Sequence, residues 1–337
     1  MHIMNFVSYK KRGRKRMENY YILSDGSLTR HENTIYFENK NGKNYIPIEK
    51  VDNIYCYGQV SLTSQVLHLL AKKRILIHFF NYYGYYEGTF YPKTKLLAGN
   101  VIIKQAEHYI DMKKRLILAK KFVKGSADNM KKVLSYYKLK NKITQIEQEI
   151  ENQKTIPDLL NTEARIRIEY YSYFDKITKQ QSFHFEKRTK QPPKNMINAL
   201  ISFGNSLLYS TTLNELYNTQ LNPTISYLHE PLQRRYSLTL DLTEIFKPII
   251  VDRLIFKLIN KEMITKKHFK KDVNYCILTK SGKNKFLQEY DKKLKTTLKH
   301  RQLNRNVSYK HLIRLEAYKL EKHILDIKEY TPYKIRW

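Results

Sequence analysis

The stretch YYEGTFYPKTKLLAGNVIIKQAEHYI, residues 85–110, decides the fold because its residue pattern changes at Pro92. Before the proline, aromatic and β-branched residues predict a strand. After it, apolar residues recur at helical spacing, and glycine and proline become scarce from residue 95 to residue 325. We therefore predict an α+β protein of two domains, with a boundary near residues 92–98.

Residues 17–93 form the predicted β-rich domain, in which turn signals such as Asp25–Gly26 and Asn41–Gly42 separate short apolar runs. The predicted strands lie in the runs YYILS, TIYFEN, NYIPI, NIYCYG and ILIHFFN. One helix, LTSQVLHLLAKK at residues 62–73, interrupts them. This order predicts a β sandwich or sheet that carries one helix.

Residues 97–337 form the predicted larger, all-α domain, which would hold the catalytic site. The run at residues 96–125 predicts one helix that ends at Gly125, a residue type common at helix C-termini. Further helices are predicted in KITQIEQEIENQ at residues 142–153, IPDLLNTEARIRIEYYSYFD at residues 156–175 and MINALISFGNSLLYSTTLNELYNTQ at residues 196–220.

The charge balance indicates a polyanionic partner. The 337 residues include 62 Lys and Arg against 31 Asp and Glu, a formal net charge of +31. Such a field favours nucleic acid, although the codon bias of an AT-rich genome also enriches lysine. No run approaches 18 consecutive apolar residues, so we expect no membrane span and a cytoplasmic protein. Residues 1–16 carry no signal-peptide pattern and are predicted to be a disordered basic extension.

Glu163 is the first candidate for chemistry. On a helix over residues 158–174 it shares a face with the apolar Ile166, Tyr170 and Phe174. A carboxylate on such a face needs a positive partner. Arg167, at i+4, supplies one as an ion pair, and a divalent metal ion would serve equally well.

His229, Asp241 and Glu244 lie in SYLHEPLQRRYSLTLDLTEIFKP, residues 226–248. Taken alone, the histidine is compatible with a packing role, and DLTE resembles a capping box with Asp241 at the N-cap. Together with Glu163, these residues form an oxygen-rich set with one imidazole, which suits Mg²⁺ or Mn²⁺. In a strongly cationic protein, such a set favours phosphodiester chemistry.

A series of longer motifs resembles the metal-dependent integrase–endonuclease of CRISPR adaptation, with features of the type I-B branch. The similarity runs from about Glu18 to Trp337. It is carried by LSDGSLTRHENTIYFE, NIYCYGQVSLTSQVLHLL, NYYGYYEGTFYP, PPKNMINALISFGNSLLY, LNPTISYLHEPLQRRYSLTLDLTEIFKPIIVDR and YTPYKIRW. The resemblance implies insertion of protospacer DNA into a CRISPR array, by attack of a 3′-hydroxyl on a phosphodiester at the repeat boundary.

The resemblance also implies the site residues. The metal ligands would be Glu163, His229 and Glu244, with Asp241 as a further catalytic acid. Two positions depart from the usual family pattern: Ala164 stands where glycine is frequent, and Lys247 where arginine is frequent. Neither departure removes a ligand. Contacts to DNA are expected from Arg188, Arg235 and Lys247.

The implied partners are double-stranded DNA, a second copy of the chain bound through the β-rich domain, the small ferredoxin-like adaptation subunit and a trimming nuclease. Two alternatives stay open. One is a structure-selective nuclease that cleaves branched DNA with the same metal site. The other is a non-catalytic, basic DNA-binding scaffold, which predicts that Glu163, His229 and Glu244 lie apart.

Overall fold

The computed structural model describes residues 17–93, 96–231 and 236–336. Its first part is rich in strands and carries one helix. The elements are β1 (Glu18–Ile22), β2 (Gly26–His31), β3 (Thr34–Asn39), β4 (Gly42–Ile46), β5 (Val51–Cys56), β6 (Val60–Leu62), α1 (Ser64–Lys73), β7 (Leu76–Phe80) and β8 (Tyr86–Phe90).

These strands form two four-stranded sheets. The first has the order β1-β5-β7-β8, in which β8 is antiparallel to β7 and the other pairs are parallel. The second has the order β4-β3-β2-β6, with parallel pairing of β2 and β6 only. Both sheets and α1 contribute to one apolar core. The prediction of a β-rich region that carries one helix is confirmed.

The first sheet faces two cores because side chains alternate along a strand. Tyr20 and Ile22 of β1 pack into the core between the sheets, together with Ile54 of β5. Tyr21 and Tyr55 point to the opposite side and join the core of the helical region. The sheet is thereby fixed against the helical region.

The second part of the chain is mainly helical and also contains four short strands. Its helices are α2 (Gly99–Ile110), α3 (Met112–Tyr136), α4 (Ile143–Gln148), α5 (Ile156–Tyr171), α6 (Phe174–Thr178), α7 (Met196–Tyr217), α8 (Ser237–Lys247), α9 (Arg253–Asn260), α10 (Lys280–Lys295) and α11 (Tyr309–Ile324). The strands are β9 (Phe269–Lys271), β10 (Cys276–Leu278), β11 (Thr297–His300) and β12 (Arg305–Ser308).

The four strands correct one detail of the predicted fold class. They form two antiparallel hairpins, β9 with β10 and β11 with β12, inside the part that was predicted to be all-α. Each strand has only three or four residues. Runs this short carry too little periodicity to be recognised as strands. The α+β class itself is confirmed.

The predicted helix end at Gly125 is wrong. The helical run breaks instead at Asp111, whose carboxylate accepts hydrogen bonds from the backbone N–H groups of Lys113 and Lys114 and caps α3. Gly125 lies buried inside α3. A Cβ atom there would stand 2.5 Å from Cβ of Pro332. Glycine is required because the C-terminal segment, residues 330–335, crosses α3 at this point. The sequence pattern of one helix cannot show such a contact.

Several polar contacts join the strand-rich part to the helical part. The hydroxyl of Tyr21 donates to Oδ1 of Asp291 on α10 at 2.8 Å. Lys310 on α11 forms ion pairs with Asp52 and Glu215. These contacts are consistent with a boundary near residues 92–98, but the exact limits of the two predicted domains stay predictions. The predicted basic extension, residues 1–16, lies outside the described residues.

No helix within the described ranges is both long enough and apolar enough to cross a membrane.

Candidate metal centre

Glu163 and Arg167 lie one turn apart on α5, as predicted. Helix α5 begins behind Thr155, whose side chain accepts a hydrogen bond from the backbone N–H of Asp158. Nε of Arg167 donates to Oε1 of Glu163 at 2.8 Å, and Nη2 of Arg167 donates to the same oxygen. Both side chains are mostly buried, at 19% and 18% exposure for Arg167 and Glu163 respectively.

Glu244 approaches the same guanidinium from α8. Nη2 of Arg167 also donates to Oε2 of Glu244, and Nζ of Lys247 donates to Oε1 of Glu244. The Glu244 side chain is 8% exposed. Two carboxylates from different helices therefore converge on one cationic group. The sequence predicted the pairing of Glu163 with Arg167, whereas the convergence with Glu244 came only from the family resemblance.

Asp241 has a different place from the one that a capping box would give it. Helix α8 begins at Ser237 with Tyr236 as its N-cap residue, so Asp241 stands in the second turn and the capping alternative is wrong. Its fully buried carboxylate organises the loop that carries His229. It accepts hydrogen bonds from the backbone N–H groups of Tyr227, Leu228 and His229, at 2.7, 3.0 and 3.0 Å.

His229 is oriented by the same carboxylate. Nδ1 of His229 lies 2.8 Å from Oδ1 of Asp241. Because a carboxylate oxygen accepts, Nδ1 carries the hydrogen in this contact, and in the neutral ring Nε2 then keeps the lone pair that a metal ligand requires. The His229 side chain is 30% exposed, so solvent reaches it. Arg115 of α3 steadies the loop, since its Nε donates to the carbonyl of Tyr227 at 3.0 Å.

The surrounding charges shift the pKa of Glu244 and the pKa of His229 in opposite directions. Burial alone would raise the pKa of Glu244, but the charges of Arg167, Lys247 and His229 outweigh it and hold that pKa well below its usual range. Burial would lower the pKa of His229, but the hydrogen bond and charge of Asp241, with the charge of Glu244, raise it above its usual value.

The donor set fits a divalent cation. Among the residues that the structure describes, no three His, Cys, Asp or Glu side chains stand together as a ready metal cluster. Arg167 lies between the two acids, and Lys247 binds the second one. A guanidinium shared by two carboxylates takes the place of a cation. Two carboxylates and an imidazole suit Mg²⁺ or Mn²⁺ once that guanidinium moves aside.

The three residues predicted to contact DNA differ in their surroundings. Arg188 donates from Nη1 to Oδ1 of Asn198 at 3.0 Å and from Nη2 to Oγ of Ser202 at 2.9 Å, so it binds α7. Lys247 binds Glu244. Arg235 lies outside the described residues. Their contacts with DNA stay predictions.

Positive charge from four residues lies around the two acids, and of these residues only Lys190 was not singled out from the sequence. Burial lowers the pKa of Lys190, and the charges of Arg188, Lys247 and Arg167 lower it further. These four cations come from α5, α8 and the segment before α7, so no local sequence pattern could have grouped them. Together they bring positive charge to the neighbourhood of the acids.

Comparisons with known proteins place the chain in a family. The family model described as "CRISPR associated protein Cas1" matches residues 20–292. "CRISPR-associated protein Cas1 1" of Methanobrevibacter ruminantium is 58% identical over 320 residues, covering 95% of this chain and 99% of the relative. "CRISPR-associated endonuclease Cas1" of Methanothermobacter thermautotrophicus is 56% identical over 320 residues, covering 95% of this chain and 96% of the relative.

Among solved structures, a Cas1 protein of Thermotoga maritima superposes with a TM-score of 0.88 at 43% identity, covering 94% of this chain and 100% of the other. The resemblance drawn from the sequence is confirmed. The chain belongs to the Cas1 family of CRISPR-associated proteins.

Proposed function

We propose that Glu163, His229 and Glu244 form the centre at which this protein, a DNA endonuclease and integrase of CRISPR adaptation, binds its divalent cation. The observation that carries the proposal is the convergence of Glu163 and Glu244 on one guanidinium. The residues of this centre come from α5, α8 and the loop before α8. The non-catalytic scaffold required the candidate acids to lie apart, and the convergence disfavours it.

Each residue has a defined task. Glu163 and Glu244 provide the carboxylate oxygens, and His229 provides Nε2. Asp241 acts as a positioning residue, since it fixes the imidazole tautomer and the loop backbone together. When bound, Mg²⁺ or Mn²⁺ supplies charge neutralisation at the scissile phosphate and activation of the attacking oxygen. Which of the two ions serves in the cell is left to measurement.

The reaction follows from these tasks. A 3′-hydroxyl of the incoming DNA attacks a phosphodiester at the repeat boundary, one P–O bond forms, and the bond to the leaving 3′-oxygen breaks. Arg167, Lys190 and Lys247 surround the acids with positive charge and favour binding of the phosphate. We assign no covalent intermediate to the protein. In the absence of a repeat-bearing target, the same centre would serve as an endonuclease.

The partners belong to the same proposal. The proposal that double-stranded DNA is a partner is supported by the net charge of +31. A homodimer formed through the β-rich region, the small ferredoxin-like adaptation subunit and a trimming nuclease rest on the sequence resemblance, as does the type I-B branch. We also propose that the protein is located in the prokaryotic cytoplasm, where the CRISPR array lies.

The test is a strand-transfer assay on supercoiled repeat DNA. The reaction contains a short duplex with 3′-hydroxyl ends, the adaptation subunit and MnCl₂ or MgCl₂. Wild type joins the duplex to the repeat, whereas Glu163→Gln and His229→Ala do not, and their affinity for the duplex stays within about twofold of wild type. Equal joining by all three proteins would contradict the proposal. Cleavage of branched DNA without joining to the repeat would favour the structure-selective nuclease.

A further inference from the structure

Pro248 leaves the helix that carries Glu244 short of a backbone donor. In an α-helix the N–H of each residue donates to the carbonyl four positions earlier. Pro248 has no N–H, so the carbonyl of Glu244 lacks its helical partner. A π-helical turn, Pro248–Asp252, follows directly and changes the spacing of the backbone hydrogen bonds. The end of α8 next to Glu244 therefore depends on donors from elsewhere.

Two buried side chains of α3 donate to carbonyls at this end of α8. Oγ of Ser126 donates to the carbonyl of Glu244 at 3.0 Å, and Nδ2 of Asn129 donates to the carbonyl of Ile245 at 2.9 Å. Ser126 is 2% exposed and Asn129 is fully buried. They lie three positions apart and share one face of α3.

Asn129 extends the connection to the C-terminal segment, residues 330–335. Its Nδ2 also donates to the carbonyl of Tyr333 at 3.0 Å, and its Oδ1 accepts from the N–H of Ile335 at 2.9 Å. The Tyr333 ring stacks on Phe246 of α8, with 6.0 Å between centroids and 14° between planes. One amide thus joins α3, α8 and the end of the chain, and all of its contacts are internal.

We propose that Ser126 and Asn129 are positioning residues for Glu244. Ser126 replaces the donor that Pro248 removes, and Asn129 binds the next carbonyl, so that together they fix the backbone of α8 at the acid. The C-terminal segment fixes Asn129 in turn. The inference rests on the proposed function, because it concerns the affinity of Glu244 for the divalent cation. It does not require either residue to touch the cation or the DNA.

The experiment measures Mn²⁺ binding by calorimetry without DNA, for wild type, Asn129→Leu, Ser126→Ala and Asn260→Leu. Asn260 is a control at an exposed position, where the amide likewise joins two helices by donating to the carbonyl of Ile177 at 3.0 Å. We expect the Mn²⁺ dissociation constant to rise about tenfold in Asn129→Leu and by a smaller factor in Ser126→Ala. Asn260→Leu should bind like wild type.

Hydrogen exchange of the metal-free proteins supplies a second readout. In Asn129→Leu, the amides of residues 246–252 should exchange faster than in wild type, while those of α5 keep their rates. Ser126→Ala removes only one hydroxyl and keeps the test valid if Asn129→Leu does not fold.

Unchanged Mn²⁺ affinity in both variants would overturn the inference, even if exchange is faster, because the contacts would then be structural only. A Glu244→Gln variant separates this result from failure of the proposed function. If Glu244→Gln binds Mn²⁺ as tightly as wild type, Glu244 is not a ligand, and both the proposed centre and the inference fall.

Discussion

The carboxylates of Glu163 and Glu244 both accept hydrogen bonds from Nη2 of Arg167. The guanidinium offsets two negative charges that would otherwise repel each other in a mostly buried place. A cation in the same position would do so too. Arg167 therefore stabilises the centre in the absence of metal, and a bound metal would take over that role.

Replacing Arg167 with Gln should destabilise the metal-free protein by about 2–3 kcal/mol, since it leaves two partly buried carboxylates without their shared partner. Saturating MnCl₂ should stabilise this variant more than it stabilises wild type, because the added cation substitutes for the lost guanidinium. Denaturant unfolding in EDTA and in MnCl₂ measures both effects.

Arg165→Gln is the matched control for Arg167. Arg165 lies on the same helix but pairs with Glu149 at the surface, where its side chain is 54% exposed. Such pairs contribute about 0–1 kcal/mol, so its removal should have little effect in either solution. A result in which both variants unfold alike would contradict the bridging role of Arg167.

Asp241→Asn should weaken Mn²⁺ binding by about 10- to 100-fold. An asparagine keeps the size of the side chain but offers one acceptor oxygen where the structure uses two, against four donors. The backbone of the loop and the tautomer of His229 would then both be held less firmly. Calorimetry with MnCl₂ is the measurement, and circular dichroism checks the fold. Affinity equal to that of wild type would show that Asp241 does not orient the ligand.

Acid should destabilise the protein through His78 of β7. Burial lowers the pKa of His78 to about 3, and the charge of Lys310 contributes. An unfolded histidine titrates near pH 6.5. Below that value the unfolded chain binds a proton that the folded chain does not, so stability is full above pH 6.5 and is lost as pH falls towards 3.

The expected loss from this one group is about 2 kcal/mol between pH 7 and pH 5. His78→Gln keeps a polar partner for Thr89, whose Oγ1 lies 2.7 Å from Nδ1 of His78, and it cannot titrate. Urea unfolding of both proteins at the two pH values gives the difference. The same pH dependence in His78→Gln as in wild type would show that His78 is not responsible.

Gly125→Ala should destabilise the protein by about 1–3 kcal/mol, because the new Cβ would lie 2.5 Å from Cβ of Pro332 and displace the C-terminal segment. Gly99→Ala is the control, since a Cβ at that position on α2 meets no atom within 4 Å. Denaturant unfolding compares the two. If Gly125→Ala is as stable as Gly99→Ala, the C-terminal segment is not packed on α3 as described.

The sequence predicted the elements whose signals are local. The division into strands and helices, the helix α1 and the pair of Glu163 with Arg167 all follow from periodicity within one segment. The capping box of Asp241 was wrong because a local motif was outweighed by three backbone donors from the preceding loop. The family resemblance brought together Glu163, His229 and Glu244, which no periodicity could place in one centre.

Contacts between distant segments are what the sequence pattern could not show. Gly125 resembles a helix terminus until Pro332 is seen against it, and Asn129 resembles an ordinary polar residue on a helix until its three partners are known. The hairpin of β9 and β10 escaped prediction because its strands are too short for a pattern. Each of these features depends on tertiary packing.

The most direct test of the metal centre is anomalous diffraction from crystals grown with MnCl₂. We expect one manganese peak at about 2.0–2.3 Å from a carboxylate oxygen of Glu163, a carboxylate oxygen of Glu244 and Nε2 of His229, with Arg167 moved away from both acids. A manganese ion bound elsewhere, with Arg167 still bridging Glu163 and Glu244, would contradict the account.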